Sequence, residues 1–267
     1  MKKLNSYLKE VRANGRISFT TKEAIAALEI SDNALRCAVY KLKKEGDLIS
    51  PAQGLYVIVP PEHQAMGCIP AEELIPILMK YWNIPYYVCL LSAADFHGAS
   101  HQKPQVLQVM LEKQMKPLTL GKLKIEFIYK KSLKDLPLVS KTVPTGYLHI
   151  SSPELTAMDL LIYSHRSGGL NPIATVLSEL SEAIDTKALV RLMQQSSEKT
   201  WVQRLGLILE NIDTLDELHK NKLIQVIKHY LDQAHPMPIL LVPSLPKNRG
   251  MLNSKWGIFE NTTIESD

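Results

Sequence analysis

The chain has 267 residues, of which 45% are hydrophobic and 22% charged, and its net charge is +4. This composition excludes collagen-like and disordered proteins, and at about 100–200 residues per domain the length suggests two domains. No apolar run approaches the roughly 20 residues of a membrane span, and the N-terminus lacks a signal-peptide core. The three cysteines lack metal-site spacing. We therefore expect a soluble cytoplasmic protein that binds no membrane, metal or cofactor.

The excess positive charge is concentrated near the N-terminus. Residues 1–60 contain ten lysines and arginines and six acidic residues, whereas the remainder contains 21 of each kind. A basic segment on a neutral body indicates a polyanionic partner. A surplus of four charges is within normal scatter, so this indication needs support from the pattern of helices.

Two helices are predicted at the start of the chain. Leu4, Leu8 and Val11 have the spacing of one helix face, and Asn14-Gly15 would end that helix. The run Thr20-Thr21-Lys22-Glu23 predicts a capping box in which Thr20 caps a short second helix and Glu23 reaches back.

A third, longer helix follows after a tight turn at residues 29–31. Ser31 or Asp32 can cap this helix, which would run to Glu45, and Gly46 follows where a left-handed residue is favoured. Its predicted buried stripe comprises Leu35, Ala38, Val39 and Leu42. A short helix, a three-residue turn and a longer helix are typical of a helix-turn-helix.

The next segment predicts a β-hairpin. Residues 47–59 contain two β-prone runs around a turn that includes Pro51 and Gly54. A hairpin directly after the recognition helix is typical of a wing. The pattern therefore predicts a winged helix-turn-helix DNA-binding domain over residues 1–62.

The predicted recognition helix suits the major groove of double-stranded DNA. Asn33 and Arg36 lie one turn apart on its exposed face and could pair with base edges. Lysines and the backbone amides near Thr21 could hold phosphates. The predicted DNA-binding residues are Thr21, Lys22, Asn33, Arg36, Tyr40, Lys41, Lys43, Lys44 and Gln53. Two alternatives remain open, namely that the lysines serve solubility or that the domain docks onto a protein.

Residues 63–267 are predicted to form a larger mixed α/β domain after a linker at Pro60-Pro61. Strands are predicted at 106–111, 123–129 and 146–150, so the part from 63 to 150 is mixed α/β. The part from 151 to 267 contains five predicted helices. The expected fold class is α+β, with an N-terminal winged helix and a helical second half.

Motifs for catalysis are absent. There is no glycine-rich phosphate loop, nucleophile elbow or zinc-ligand spacing. His97 and His101 are predicted in a surface loop. Asp95, Glu112 and Glu126 could be imagined as nuclease carboxylates, but Glu126 lacks a lysine two residues later. We predict no catalytic residues and no enzyme.

Four segments of the chain resemble AbiEi-type antitoxins of type IV toxin–antitoxin, or abortive infection, systems. These segments are 54–57 (Gly-Leu-Tyr-Val), 91–98 (Leu-Ser-Ala-Ala-Asp-Phe-His-Gly), 151–161 (Ser-Ser-Pro-Glu-Leu-Thr-Ala-Met-Asp-Leu-Leu) and 255–258 (Lys-Trp-Gly-Ile). The resemblance implies a transcriptional repressor that binds inverted repeats upstream of its own operon. It also implies a C-terminal domain that counteracts a nucleotidyltransferase-like toxin, usually without a stable complex.

The leading prediction is a DNA-binding autorepressor and antitoxin. The alternatives are a DNA-processing enzyme with a winged helix fused to a nuclease-like domain, and a winged-helix interaction protein without a nucleic-acid partner. For Glu154 and Asp159 we prefer a capping box and a helix-surface acid to a functional site.

Overall fold

The computed structural model describes residues 2–100, 104–214, 216–247 and 250–264. The chain forms two compact units. The first comprises Met1–Tyr87, Gln105–Leu133 and Ser140–His149, and the second comprises Val88–Pro104, Lys134–Val139 and Ile150–Asp267. Helices and several sheets are present, so the mixed α+β class is confirmed.

The N-terminal part of the first unit contains three helices and three strands. These are α1 (Lys2–Ala13), β1 (Ser18–Thr20), α2 (Thr21–Leu28), α3 (Asp32–Glu45), β2 (Leu48–Ala52) and β3 (Leu55–Ile58). The strands form an antiparallel sheet in the order β1-β3-β2, with Ser18 opposite Val57 and Leu48 opposite Ile58. The three helices and the hairpin are confirmed, whereas β1 was not predicted.

The predicted stripes of α1 and α3 form the core of this part, except that Ala38 of α3 is only partly buried. The buried side chains of its three helices are Leu4, Leu8, Val11, Ala24, Leu28, Leu35, Val39 and Leu42. Phe19 joins them from β1, with its ring 5.4 Å from that of Tyr7 and 5.3 Å from that of Tyr56. Such aromatic contacts add to the free energy gained by burying apolar area. Helices and sheet therefore share one core.

A six-stranded sheet follows. After a 3₁₀ helix (Pro61–Met66) come α4 (Ala71–Trp82), β4 (Tyr86–Val88), α5 (Leu90–Phe96), β5 (Leu107–Leu111), β6 (Leu118–Leu120), β7 (Leu123–Tyr129), β8 (Leu138–Val143) and β9 (Gly146–Ser151). The strand order is β6-β7-β5-β4-β9-β8, in which β5 and β7 are parallel and β6 and β7 antiparallel. The predicted strands β5, β7 and β9 are confirmed. The linker expected at Pro60-Pro61 is not an extended segment, because Pro61 is the first residue of the 3₁₀ helix and Pro60 precedes it as the cap.

The second unit is built mainly from helices. Its elements after β9 are α6 (Pro153–Ile162), α7 (Leu170–Leu180), α8 (Thr186–Gln195), α9 (Thr200–Asn211), α10 (Glu217–Ala234), β10 (Ile239–Leu240), β11 (Met251–Asn253) and β12 (Ile258–Glu260). Five predicted helices are confirmed here. Helix α6 packs against α5, α7, α8 and α9, and its side chains from Glu154 to Leu161 are all buried. It is the central element of this unit.

The C-terminal strands are held against α9 by one large side chain. Trp256 is 1% exposed, and a Cβ atom placed on Gly206 of α9 would lie 2.2 Å from its ring. Glycine at this position is therefore what lets the indole lie on the helix backbone. The indole N–H donates to the Glu210 carboxylate, which also accepts from Lys255. Gln203 Nε2 donates to the Trp256 carbonyl at 3.2 Å.

Candidate nucleic-acid interface

The capping box at the start of α2 is confirmed. The Glu23 backbone N–H donates to Thr20 Oγ1 at 3.2 Å, and the Glu23 carboxylate accepts from the Thr20 N–H at 2.6 Å. Arg16 pairs with the same carboxylate at 2.6 Å. Burial alone would raise the pKa of Glu23, but the hydrogen bonds from Arg16 and Thr20 outweigh it and lower that pKa. These contacts fix the N-terminal end of α2.

Helix α3 begins and ends as its sequence predicts. Ser31 is the cap, since its Oγ accepts from the Ala34 N–H at 3.3 Å. The chain turns between α2 and α3 at Glu29, which has a left-handed backbone with φ 52°, and leaves α3 at Gly46 with φ 84°. Non-glycine residues rarely adopt this conformation, so the turn at Glu29 is sharply defined.

The predicted DNA-binding residues of α3 all lie on its exposed face. They are Asn33, Arg36, Tyr40, Lys41, Lys43 and Lys44. Tyr40 is 69% exposed, which is unusual for a large aromatic side chain. Arg36 Nε lies 2.8 Å from Asp32 Oδ2, one turn earlier on the helix. An exposed pair of this kind contributes only about 0.2–1 kcal/mol, so Arg36 can change partner at small cost.

The hairpin turn lies beside the start of α2. The Thr21 backbone N–H donates to the Gly54 carbonyl at 2.9 Å, and Gln53 is exposed at the turn. Thr21, Lys22, Arg36 and Gln53 line one cleft of about 710 Å³. The structure thus brings four of the nine predicted residues together, while the other five, all on α3, do not line this cleft.

Tyr81 of α4 was missed by the sequence analysis. It also lines the cleft, and its hydroxyl donates to the Gln53 carbonyl at 2.8 Å. The sequence of α4 contains no local signal for this contact, because Gln53 is 28 positions away and belongs to another element. Asp32, considered only as a possible cap, lines the same cleft and pairs with Arg36.

The expectations for Glu154 and Asp159 were wrong. Asp159 is fully buried at 0% exposure and Glu154 is 4% exposed, because α6 is covered by other helices. Ser152 caps α6, but the residue three positions later is Leu155, so no capping box forms. Glu154 accepts from Ser152 Oγ at 2.7 Å and from the Asp185 N–H at 2.8 Å. Its carboxylate therefore connects α6 to the start of α8.

The charge of Asp159 acts on a neighbouring phenol. Burial raises the pKa of Tyr163 to about 12, and the negative charge of Asp159 adds to the shift in the same direction. Tyr163 is therefore neutral across the physiological pH range.

The residues considered for catalysis have structural partners. His97 Nε2 lies 2.7 Å from the Ser151 carbonyl oxygen, and His101 is outside the described residues. Glu112 accepts from the Leu133 N–H at 2.6 Å, and Glu126 accepts from Gln108 at 3.3 Å. Among the described residues, no three His, Cys, Asp or Glu side chains are grouped to hold a metal ion. Within the same residues, every helix is too short or too polar to cross a membrane.

The comparison with protein families matches a stretch of the chain that contributes to both compact units. The model of the AbiEi antitoxin C-terminal domain matches residues 86–211. The chain therefore carries an antitoxin domain of a toxin–antitoxin system. This domain is of the AbiEi type, which confirms the resemblance found in the sequence.

One solved structure supports the fold. The chain is similar to the RV2827C protein from Mycobacterium tuberculosis, with a TM-score of 0.68 and 14% identity over 97% of this chain and 91% of that one. At this identity the likeness concerns the fold alone. An antigenic nucleotidyltransferase-like protein from Paracoccidioides brasiliensis matches 54% of this chain and 92% of its own, at 9% identity and a TM-score of 0.31. No curated protein sequence matches the chain significantly.

Proposed function

We propose that the chain is the DNA-binding autorepressor and antitoxin of a type IV toxin–antitoxin system in the bacterial cytoplasm. In this proposal residues 1–62 are a winged helix-turn-helix domain that binds operator repeats. Residues 63–267 counteract a nucleotidyltransferase-like toxin, largely without direct contact. The observation that carries the DNA-binding part is the exposed, basic face of α3, followed by a β-hairpin.

The order of elements supports the DNA-binding part. Helices α2 and α3 are joined by three residues, and the hairpin of β2 and β3 follows α3 directly in the chain. A helix of this kind fits the major groove of B-DNA, and a flanking hairpin can contact the neighbouring backbone. Asn33 and Arg36 would then read base edges. Lys41, Lys43 and Lys44 would contact phosphates.

The direct test is binding of the purified chain to the DNA upstream of its own gene, measured by fluorescence anisotropy over a salt series. Preferential binding over a scrambled duplex, weakening steeply with salt, is the expected result because phosphate contacts release counterions. Failure to bind at low salt would contradict the proposal. The antitoxin part is tested separately by rescue of cells that express the neighbouring toxin gene.

Replacing Arg36 by Ala should weaken specific binding by about 1–3 kcal/mol, because a bidentate contact to a guanine edge is lost. Binding to the scrambled duplex should change much less. Arg191→Ala on α8 is the matched control, since Arg191 is exposed and the variant loses the same charge far along the chain. Equal losses for both duplexes would show that Arg36 does not read a base.

Lys44→Ala should weaken binding to both duplexes alike. A lysine that neutralises one phosphate contributes about one unit to the slope of log K against log salt, so the slope should fall by about 1. The control is Lys187→Ala, which removes an exposed lysine of α8. An unchanged slope for Lys44→Ala would assign this side chain to solubility.

A further inference from the structure

The hairpin turn is fixed by an element outside the predicted DNA-binding domain. Tyr81 lies near the end of α4, and its hydroxyl donates to the Gln53 carbonyl at 2.8 Å. A Cβ atom on Gly54 would lie 3.1 Å from the same hydroxyl, so the turn and the phenol are in close contact. On its other side the turn is bound through the Gly54 carbonyl, which accepts from the Thr21 N–H at 2.9 Å.

Helix α4 is a firm support for this contact. Its side chains Leu74, Ile75, Leu78 and Met79 are buried. The residue after Tyr81 is Trp82, whose ring meets that of Phe127 edge-on at 6.0 Å. A side chain on a packed helix keeps its position better than one on a loop, and so does the group it binds.

We propose that Tyr81 is a positioning residue that holds the Gln53–Gly54 turn in the geometry needed for DNA contact. The hydroxyl anchors one peptide of the turn and Thr21 anchors the next, so the exposed Gln53 is held in the lining of the cleft together with Lys22 and Arg36. The DNA-reading surface then depends on α4 as well as on residues 1–62. This inference rests on the proposed DNA binding.

The first test needs no DNA. Tyr81→Phe in the full chain keeps the ring and removes only the hydroxyl, and Tyr147→Phe is the control because Tyr147 is 64% exposed in the same compact unit. Hydrogen–deuterium exchange of the peptide covering residues 48–58 should become about 2- to 10-fold faster in Tyr81→Phe, the range expected for one lost hydrogen bond. It should not change in Tyr147→Phe. Unchanged exchange in Tyr81→Phe would overturn the proposal.

The second test asks whether Tyr81 acts through Gln53. Tyr81→Phe should lower the affinity for the chain's own upstream duplex about 2- to 10-fold. If the hydroxyl positions Gln53, then Gln53→Ala should cost less affinity in the Tyr81→Phe background than in the unaltered chain. An equal cost in both backgrounds would overturn the positioning role, because a merely structural effect would be additive.

The two hypotheses fail in different ways. If the unaltered chain does not prefer its upstream duplex, the proposed function fails, and the role of Tyr81 in it fails as well. If the chain prefers that duplex and Tyr81→Phe binds it equally well, only the role of Tyr81 is overturned.

Discussion

Trp256→Ala is expected to lower the free energy of unfolding by about 3–5 kcal/mol, the usual cost of emptying a large aromatic site in a core. The indole is 1% exposed and lies against the backbone of α9 at Gly206. Its loss also removes the indole N–H that donates a hydrogen bond to the Glu210 carboxylate. Urea unfolding followed by circular dichroism measures the change, since it does not depend on the fluorescence of the removed tryptophan.

Two further variants make this result specific. Met251→Ala is the control, because Met251 is 85% exposed in the same C-terminal segment and should change stability by less than about 0.5 kcal/mol. Gly206→Ala should itself cost about 1–3 kcal/mol or more, since its Cβ would overlap the indole. In the Trp256→Ala background that overlap disappears, so the second substitution should cost far less. A Trp256→Ala chain within 1 kcal/mol of the original would contradict the packing described above.

Glu154→Ala is expected to cost about 3 kcal/mol, because hydrogen bonds to a charged group are strong and a buried donor loses its partner. The carboxylate accepts from Ser152 Oγ and from the backbone N–H of Asp185, the residue that caps α8. Without it, the junction between α6 and α8 has an unpaired N–H. Urea unfolding at neutral pH is again the measurement.

The loss in free energy of unfolding should depend on whether the new side chain at position 154 can still accept a hydrogen bond. Glu154→Gln keeps one oxygen in place and should recover part of the stability lost in Glu154→Ala. Glu182→Ala removes a nearby exposed carboxylate and should have almost no effect. Equal stability of Glu154→Ala and Glu182→Ala would rule out a structural role for the buried carboxylate.

The parts of the fold that could be predicted depend on neighbours in the chain. Thr20, Ser31 and Asp185 each accept from a backbone N–H three positions later, so their roles can be read from local sequence. Strand β1 could not be found in this way. It has three residues and pairs with Leu55–Val57 far along the chain, so it carries no periodic pattern of its own.

The same distinction applies to the candidate interface. The exposure of Arg36 and Lys44 follows from helical periodicity, and the sequence predicts it. The contact of Tyr81 with Gln53 depends on how two elements pack, and no local pattern encodes it. The burial of Asp159 had a partial signal, since α6 is apolar nearly all round its axis and such helices are usually central. That composition favours a buried position for Asp159 over the predicted surface position.

The position of Trp256 also sets the order in which the protein can be completed during translation. Helix α9 emerges from the ribosome well before its indole partner does, and until then Gly206 faces an unfilled site. The core of the second unit closes only when the turn between β11 and β12, which carries Trp256, has been synthesised. Nascent or prematurely terminated chains would therefore expose apolar surface to proteases and chaperones, which links the cellular supply of the folded protein to complete synthesis.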